Sequence, residues 1–264
     1  MTLRTPITYY GGKQKLVSRI LPLIPDHDIY CEPFLGGAAV FMAKEASKSE
    51  IINDNDAMIS IFYRVIQNDF ENLKQKIEST LYDRSTHRVA WDIRQIPHHF
   101  GDLNIAWAFY VLSGVGFSGT LESFGCYTKG TKAKTFFNKR LIWREGLKNR
   151  FEGNLQIENT DALDLIRRRD TEKTFFYLDP PYIDTCQSHY GGYTREHYEA
   201  LLDQLVKLKG KFLLSSFPSD ILNEYIEKHG WYSISIEQSK AASRNSDGTK
   251  KKKIEVLTAN YPIQ

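Results

Sequence analysis

Asp179-Pro180-Pro181-Tyr182 follows the apolar run Thr174-Phe-Phe-Tyr-Leu and offers a distinctive set of hydrogen-bond acceptors. Two prolines remove two backbone N–H donors and restrict φ, so the chain is held extended and the Pro180 carbonyl can accept. A carboxylate beside that carbonyl presents two acceptors to one –NH2 group. Such a pair can hold both amino hydrogens and leave the nitrogen lone pair aimed at an electrophile. Tyr182 adds a flat surface on which a base displaced from its duplex can stack. The plain alternative is a proline-rich turn after a buried strand. Two other motifs argue against it.

The first is Glu32-Pro33-Phe34-Leu35-Gly36-Gly37, which closes the strand-like run from Asp28. In an open α/β sheet, ligands bind beyond the carboxyl ends of the strands. Glycines there let the backbone approach a ligand where a Cβ would collide, and Phe34 can pack on a flat or apolar part of it. The second is Asn53-Asp54-Asn55-Asp56, ending the next strand. A carboxylate roughly 20 residues past the glycines is placed to accept hydrogen bonds from ribose hydroxyls. Helix capping would account for Asp54 alone, but the glycine turn makes a nucleoside site the better reading. The Gly-x-Gly-x-x-Gly of pyrophosphate-binding domains is absent. The expected ligand is therefore a nucleoside without phosphates, as S-adenosylmethionine is.

These motifs need elements to carry them. Strands are predicted over 28–32, 50–56, 155–159, 174–178, 211–216, 231–236 and 253–261, and helices over 16–24, 38–46, 161–169, 195–208 and 219–229. Alternation of this kind indicates an α/β fold with a mostly parallel, doubly wound sheet. Between 57 and 150 the apolar residues recur at helical spacing, interrupted by a Gly/Ser-rich basic stretch from Ser113 to Lys134. The expected organisation is a catalytic domain of residues 1–56 and 151–264. Residues 57–150 form an inserted helical domain bearing a β-hairpin.

Composition narrows the class. Of 264 residues, 41% are apolar and 25% charged, ordinary for a globular protein with a real core. No apolar run approaches the ~18 residues of a membrane span, and Met1-Thr-Leu-Arg-Thr-Pro lacks a signal-peptide layout. Cys31, Cys126 and Cys186 are scattered, without a Cys/His cluster, so neither a disulfide framework nor a zinc site is indicated. A cytoplasmic, reducing location is expected. The net charge is only +3, but eight basic residues face one acid between Thr128 and Arg150, and six face one between Ser239 and Lys253. Two cationic stretches on a near-neutral chain point to a bound polyanion. The second is expected to be a loop contacting phosphates.

Taken in order, these motifs resemble the DNA adenine methylase (Dam) family, the D12 class of N6-adenine DNA methyltransferases. Tyr9-Tyr10-Gly11-Gly12-Lys13 resembles its N-terminal motif and Glu32 to Gly37 its glycine motif. Asp54 matches its acidic residue, Asp179 to Tyr182 its catalytic signature, and Ile254 to Tyr261 its closing strand. The resemblance implies a Rossmann-like, class I S-adenosylmethionine-dependent methyltransferase, monomeric in solution, acting on double-stranded DNA without a metal. It implies that Tyr9, Tyr10 and Lys13 close over the cofactor. Glu32, Pro33, Phe34, Gly36 and Gly37 would line its pocket, with Asp54 on ribose and Asp161 at the cofactor's adenine amino group. Asp179, which also borders the cofactor, would hold the flipped target with Pro180, Pro181 and Tyr182. Ser118, Thr120, Lys129, Lys132, Lys134, Arg140, Arg244 and Lys250 are the candidates for DNA contact. GATC-specific members carry an Asn-x-Pro-Phe-Gly type motif; here only Phe124-Gly125 of it remains, so the resemblance carries no target sequence.

Two other classes share parts of this pattern. Cytosine-N4 methyltransferases show Ser-Pro-Pro-Tyr and protein glutamine methyltransferases Asn-Pro-Pro-Tyr. Asp179 in the first position favours adenine, with RNA as an alternative carrier of the base. A catalytically silent DNA-binding protein on this fold is the rival from another class, and the intact motifs argue against it.

Overall fold

The computed structural model describes residues 3–116, 121, 123–125, 131–182, 193–244 and 250–263, with the backbone alone at 131–132, 238–244 and 250–252. Seven strands are present among them: β1 (Ile29–Glu32), β2 (Ser49–Asn53), β3 (Leu155–Glu158), β4 (Thr174–Leu178), β5 (Lys211–Ser216), β6 (Tyr232–Arg244) and β7 (Lys250–Ala259). Their order in the sheet is β3-β2-β1-β4-β5-β7-β6. The pairs β2–β3, β1–β4 and β4–β5 are parallel, whereas β7 runs antiparallel to both β5 and β6. This is the mostly parallel, doubly wound sheet expected from the alternation of elements. The chain forms two compact units, residues 1–22 with 35–161, and residues 23–34 with 162–264.

The first unit is mainly helical. Its helices are α1 (Val17–Ile20), α2 (Ala39–Ala43), α3 (Ala57–Asn68), α4 (Phe70–Glu78), α5 (Arg84–Gln95), α6 (Asp102–Val115), α7 (Thr131–Lys139) and α8 (Glu145–Arg150). α6 is apolar on every side, from Ile105 to Val115, and becomes the central helix against which α3 and α5 pack. Phe62, Phe109, Tyr110, Phe136 and Trp143 fill the space around it. Asp56 and Asp83 start α3 and α5 by accepting from the N–H groups of Met58 and Thr86. Three expectations change here. The helix expected over 16–24 is α-helical only from Val17 to Ile20 and goes on as a 3-10 turn, Leu21–Leu23. α2 stops at Ala43 instead of Ala46, because Lys44 turns extended and its Nζ lies 2.6 Å from Glu50. The tail of the basic stretch, from Thr131, is helix α7. The expected hairpin falls mostly on residues 117–130, of which all but 121 and 123–125 lie outside the described residues; Phe124 forms an isolated antiparallel bridge with Gly116.

Glu50 is the polar tie of this unit. Its carboxylate, buried, meets Lys44 at 2.6 Å and Arg150 at 2.5 Å. Arg150 also donates to the Phe41 carbonyl and covers the Phe41 ring. Burial works against the charge, yet the Arg150 and Lys44 contacts together hold the Glu50 carboxyl below its ordinary 4.5. The pair's contribution is therefore complete at neutral pH and lost as pH falls through that depressed value. Arg150→Ala leaves a buried charge with one partner removed, and should cost about 3–5 kcal/mol. Urea unfolding at pH 7 measures it, and a loss under 1 kcal/mol would show the tie to be dispensable.

The second unit contains β1 and β4 to β7, with α9 (Ala162–Arg169), α10 (Arg195–Val206) and α11 (Asp220–His229). β4 is buried along its whole length, as its unbroken apolar run requires for a strand covered on both faces. α10 begins with a capping box formed by Thr194 and His197, and α11 with Ser219. Gly230 ends α11 at φ 65, a left-handed value that glycine takes without strain. The largest departure from expectation is at β6 and β7. Residues 240–244 and 250–253 were expected in a loop but extend the strands, with Ser239 opposite Lys252 and Arg244 opposite Lys250. Cross-strand hydrogen bonds override the weak strand preference of Ser-Lys-Ala-Ala-Ser-Arg. Residues 245–249, the middle of that expected loop, lie outside the described residues. No helix among the described residues is long and apolar enough to cross a membrane.

Candidate active site

In the first unit the end of β2 organises a group of candidate residues. The buried side chain of Asn53 exchanges two hydrogen bonds with the backbone of Thr160, tying the loop after β2 to the one after β3. Asn159 and Ser60 both donate to the Asp54 carbonyl, and Asp161 follows this knot as an exposed residue. Asp54 itself accepts from the Gly36 N–H at 2.8 Å and the Asp56 N–H at 3.0 Å. Those two bonds occupy about half of a carboxylate's acceptor sites. Burial pushes the Asp54 carboxyl up to about 7, against the pull of the Gly36 and Asp56 N–H groups.

The glycine turn is shaped by Tyr9. A Cβ on Gly36 would lie 2.8 Å from the Tyr9 ring, and one on Gly37 would lie 3.0 Å from the Tyr9 Cβ. Gly36 has φ +46, which few other residues tolerate. The glycines thus make room first for an aromatic side chain of the same chain. Tyr63 donates to the Gly36 carbonyl from the other side. Lys13 is buried, with Nζ 3.3 Å from the Gly11 carbonyl, whereas Tyr10 is exposed. Gly36→Ala should destabilise the protein by about 1–3 kcal/mol through backbone strain alone, read as a lower thermal midpoint. Truncating Tyr9 in the same chain should recover only the part due to the ring.

A second group of candidate residues lies in the second unit. Glu32, buried at the end of β1, accepts from the Tyr30 hydroxyl at 2.6 Å, and Pro33 is buried beside it. Phe34 meets the Tyr193 ring edge-on at 6.4 Å. Asp179 and Tyr182 are half-buried, and Pro180 is buried between them in sequence. The Tyr182 hydroxyl lies 3.3 Å from Asp179 Oδ1 and in short contact with Glu255 Oε1. Glu255, on β7, has no exposed surface. It also accepts from Ser215 Oγ at 2.7 Å, and its other oxygen lies 3.3 Å from Lys253 Nζ. The Tyr182 ring packs on Phe217 at 4.2 Å between centroids, with Lys253 Nζ near both rings. Burial first, then the Asp179 and Glu255 charges, push the Tyr182 phenol far above its ordinary range, so it stays a proton donor. Burial does the same to Tyr177 on β4.

The structure therefore gathers Tyr9, Gly36, Gly37 and Asp54 in one unit, and Asp179 and Tyr182 in the other. Sequence reasoning missed Glu255, Ser215, Phe217, Lys253 and Tyr193. Glu255 had left a signal: a carboxylate inside Ile-Glu-Val-Leu-Thr-Ala, a run apolar enough to be buried on both faces. Of the DNA candidates, Lys134 is exposed, while Arg140 donates to the carbonyls of Glu78 and Thr80 and lies over Phe137, capping the end of α4. Lys132, Arg244 and Lys250 sit in α7, β6 and β7, where only the backbone is described. Ser118, Thr120 and Lys129 lie outside the described residues. Among the described residues no three His, Cys, Asp or Glu side chains gather as metal ligands.

A doubly wound sheet with an acid after β2 and Asp-Pro-Pro-Tyr after β4 is the arrangement expected of an amino-directed methyltransferase. The profile of the D12 class N6 adenine-specific DNA methyltransferases matches residues 9–238, and the chain belongs to that family. It is 26% identical over 204 residues to modification methylase StsI of Streptococcus sanguinis, covering 72% of this chain and 30% of that protein. It is 22% identical to modification methylase LlaI of Lactococcus lactis subsp. lactis, covering 98% of this chain and 44% of the relative. It is also 22% identical to the DNA adenine methylase of Escherichia coli K12, covering 98% and 95%. The chain thus spans less than half the length of the first two relatives and nearly all of the third.

Proposed function

We propose that this protein transfers a methyl group from S-adenosylmethionine to the exocyclic amino nitrogen of adenine in double-stranded DNA, after flipping the base out of the helix. The observation that carries the reading is Asp179-Pro-Pro-Tyr182 at the end of β4, with the Tyr182 ring on Phe217 and its hydroxyl between Asp179 and Glu255. A base stacked at such an aromatic surface would bring its amino group toward the acceptors of Asp179 and Pro180.

The residues fit S-adenosylmethionine as cofactor. Asp54 keeps acceptor capacity beyond its two backbone bonds, which suits a ribose diol. Gly36 donates to that acid and, with Gly37, packs against Tyr9; Lys13, Phe34 and Glu32 are proposed for the same cofactor. Bound there, the cofactor supplies a methyl group on a positively charged sulfur, so no metal is required to draw off charge.

Adenine's amino group is a poor nucleophile, because its lone pair delocalises into the ring. Acceptors at Asp179 and Pro180 favour a pyramidal nitrogen and stabilise the positive charge that develops on it. Holding that nitrogen in line with the methyl provides much of the remaining acceleration. The Tyr182 hydroxyl, kept protonated, orients its ring and does not act as a base.

The proposal extends to residues 57–150 as the target-recognition domain. Lys129, Lys132, Lys134, Arg244 and Lys250, with Ser118 and Thr120, are proposed as DNA contacts. The protein is proposed to act as a monomer in the cytoplasm. The experiment is nucleoside mass spectrometry after incubation with S-adenosylmethionine and either DNA or RNA. N6-methyladenine in DNA is the expected product. N4-methylcytosine instead, or product in RNA alone, would overturn the assignment, and methylome sequencing of an expressing host would give the sequence context.

A further inference from the structure

We infer that Glu255 is a positioning residue: from β7 it takes the Tyr182 hydroxyl as donor and so sets the plane of the base-stacking ring and keeps that proton off Asp179. The inference rests on the proposed function, and assigns a role to a group that the methyl-transfer chemistry does not use.

A carboxylate with no exposed surface is costly unless it is paired and hydrogen-bonded. Here the partners come from three places: Ser215 on β5 at 2.7 Å, Lys253 two residues back on the same strand at 3.3 Å, and Tyr182 just past β4. Lys253 and Glu255 lie on the same face of β7, as alternate residues of a strand must. The lysine completes the arrangement by lying 5.2 Å from the Tyr182 ring and 4.6 Å from the Phe217 ring. A buried acid needed only to join strands would have no reason to reach the tyrosine of the motif.

The proton count makes the contact consequential. A phenol has one hydrogen to donate. Two carboxylates compete for it, Glu255 in short contact and Asp179 Oδ1 at 3.3 Å. While Glu255 holds it, Tyr182 is pinned at the ring's far end as well as by its backbone. The proton is then not spent on the carboxylate that must accept from the adenine amino group. Without the Glu255 charge, the hydroxyl turns toward Asp179 and competes with the substrate for it.

The test is a double-mutant cycle on the full chain with Glu255→Gln and Tyr182→Phe, read as single-turnover methyl transfer together with cofactor and DNA affinities. Glu255→Gln keeps the side chain's shape and should slow transfer roughly 10- to 100-fold, with both dissociation constants within about threefold of wild type. Tyr182→Phe keeps the ring and should slow transfer about tenfold. In that background Glu255→Gln should add less than about threefold, because no hydroxyl remains to be held. Additive losses, or a wild-type rate in either single variant, would overturn the inference. Should Glu255→Gln fail to fold, Tyr182→Phe decides by itself, since a wild-type rate there removes any role for the held hydroxyl. A wild-type protein that methylates no DNA overturns the proposed function and this inference with it. An active wild type with undisturbed variants overturns this inference alone.

Discussion

Asp179→Ala should lower kcat for adenine methylation by about 10³-fold, while affinity for DNA stays within about threefold of wild type. The two parts of that result have different origins. The rate depends on an acceptor aimed at charge that develops only in the transition state, and removing one such oriented group from an enclosed site costs roughly 10²–10³. Affinity rests mainly on phosphate contacts made elsewhere. Asp179 also lies beside Tyr182, 3.3 Å from its hydroxyl, so the variant leaves that hydroxyl with Glu255 alone. The ring should therefore stay in place, which keeps the effect on rate rather than on folding. Filter binding and single-turnover assays on one preparation separate the two. Turnover near wild type would end the case for this acid as the amine acceptor.

Asp54→Asn should weaken S-adenosylmethionine binding roughly 10- to 100-fold, since hydrogen bonds to a charged group contribute about 1.5–3 kcal/mol. Its pH dependence is the sharper measurement. Burial pushes the Asp54 carboxyl up to about 7. The ionised form accepts from ribose hydroxyls at both oxygens, whereas the protonated form has an acceptor replaced by a donor. Cofactor affinity in the wild type should accordingly fall as pH drops through 7, by up to about tenfold per unit below it, and level off above. In the Asn variant the affinity should be weak and flat across the same range. Calorimetry from pH 5.5 to 8.5 reads both curves, and a flat wild-type profile would remove Asp54 as the titrating contact.

Much of the local structure is legible in the chain because it is encoded within a few residues. Thr194 with His197, Ser219 and Asp56 mark helix starts through their own side chains. The β4 run carries its burial in its composition, and the Asp-Pro-Pro-Tyr and glycine motifs sit at strand ends as expected. What could not be read is what depends on which distant segments become neighbours. Tyr182 and Glu255 are 73 positions apart, and they meet because β7 enters the sheet next to β5. Arg140 looks like a phosphate ligand in a basic run, yet it spends its guanidinium on carbonyls 60 and 62 residues away.

The sequence by itself determined the alternation of elements, the helix caps and the acceptor chemistry of Asp179-Pro-Pro-Tyr, since these follow from periodicity, backbone restriction and side chains acting on near neighbours. Only the tertiary structure decided that Tyr9 fills the space over Gly36 and Gly37, that β6 and β7 extend through a basic stretch, and that a buried carboxylate stands behind Tyr182. The reason is physical. Strand order and cross-strand register set those contacts, and neither is carried by any single segment of the chain.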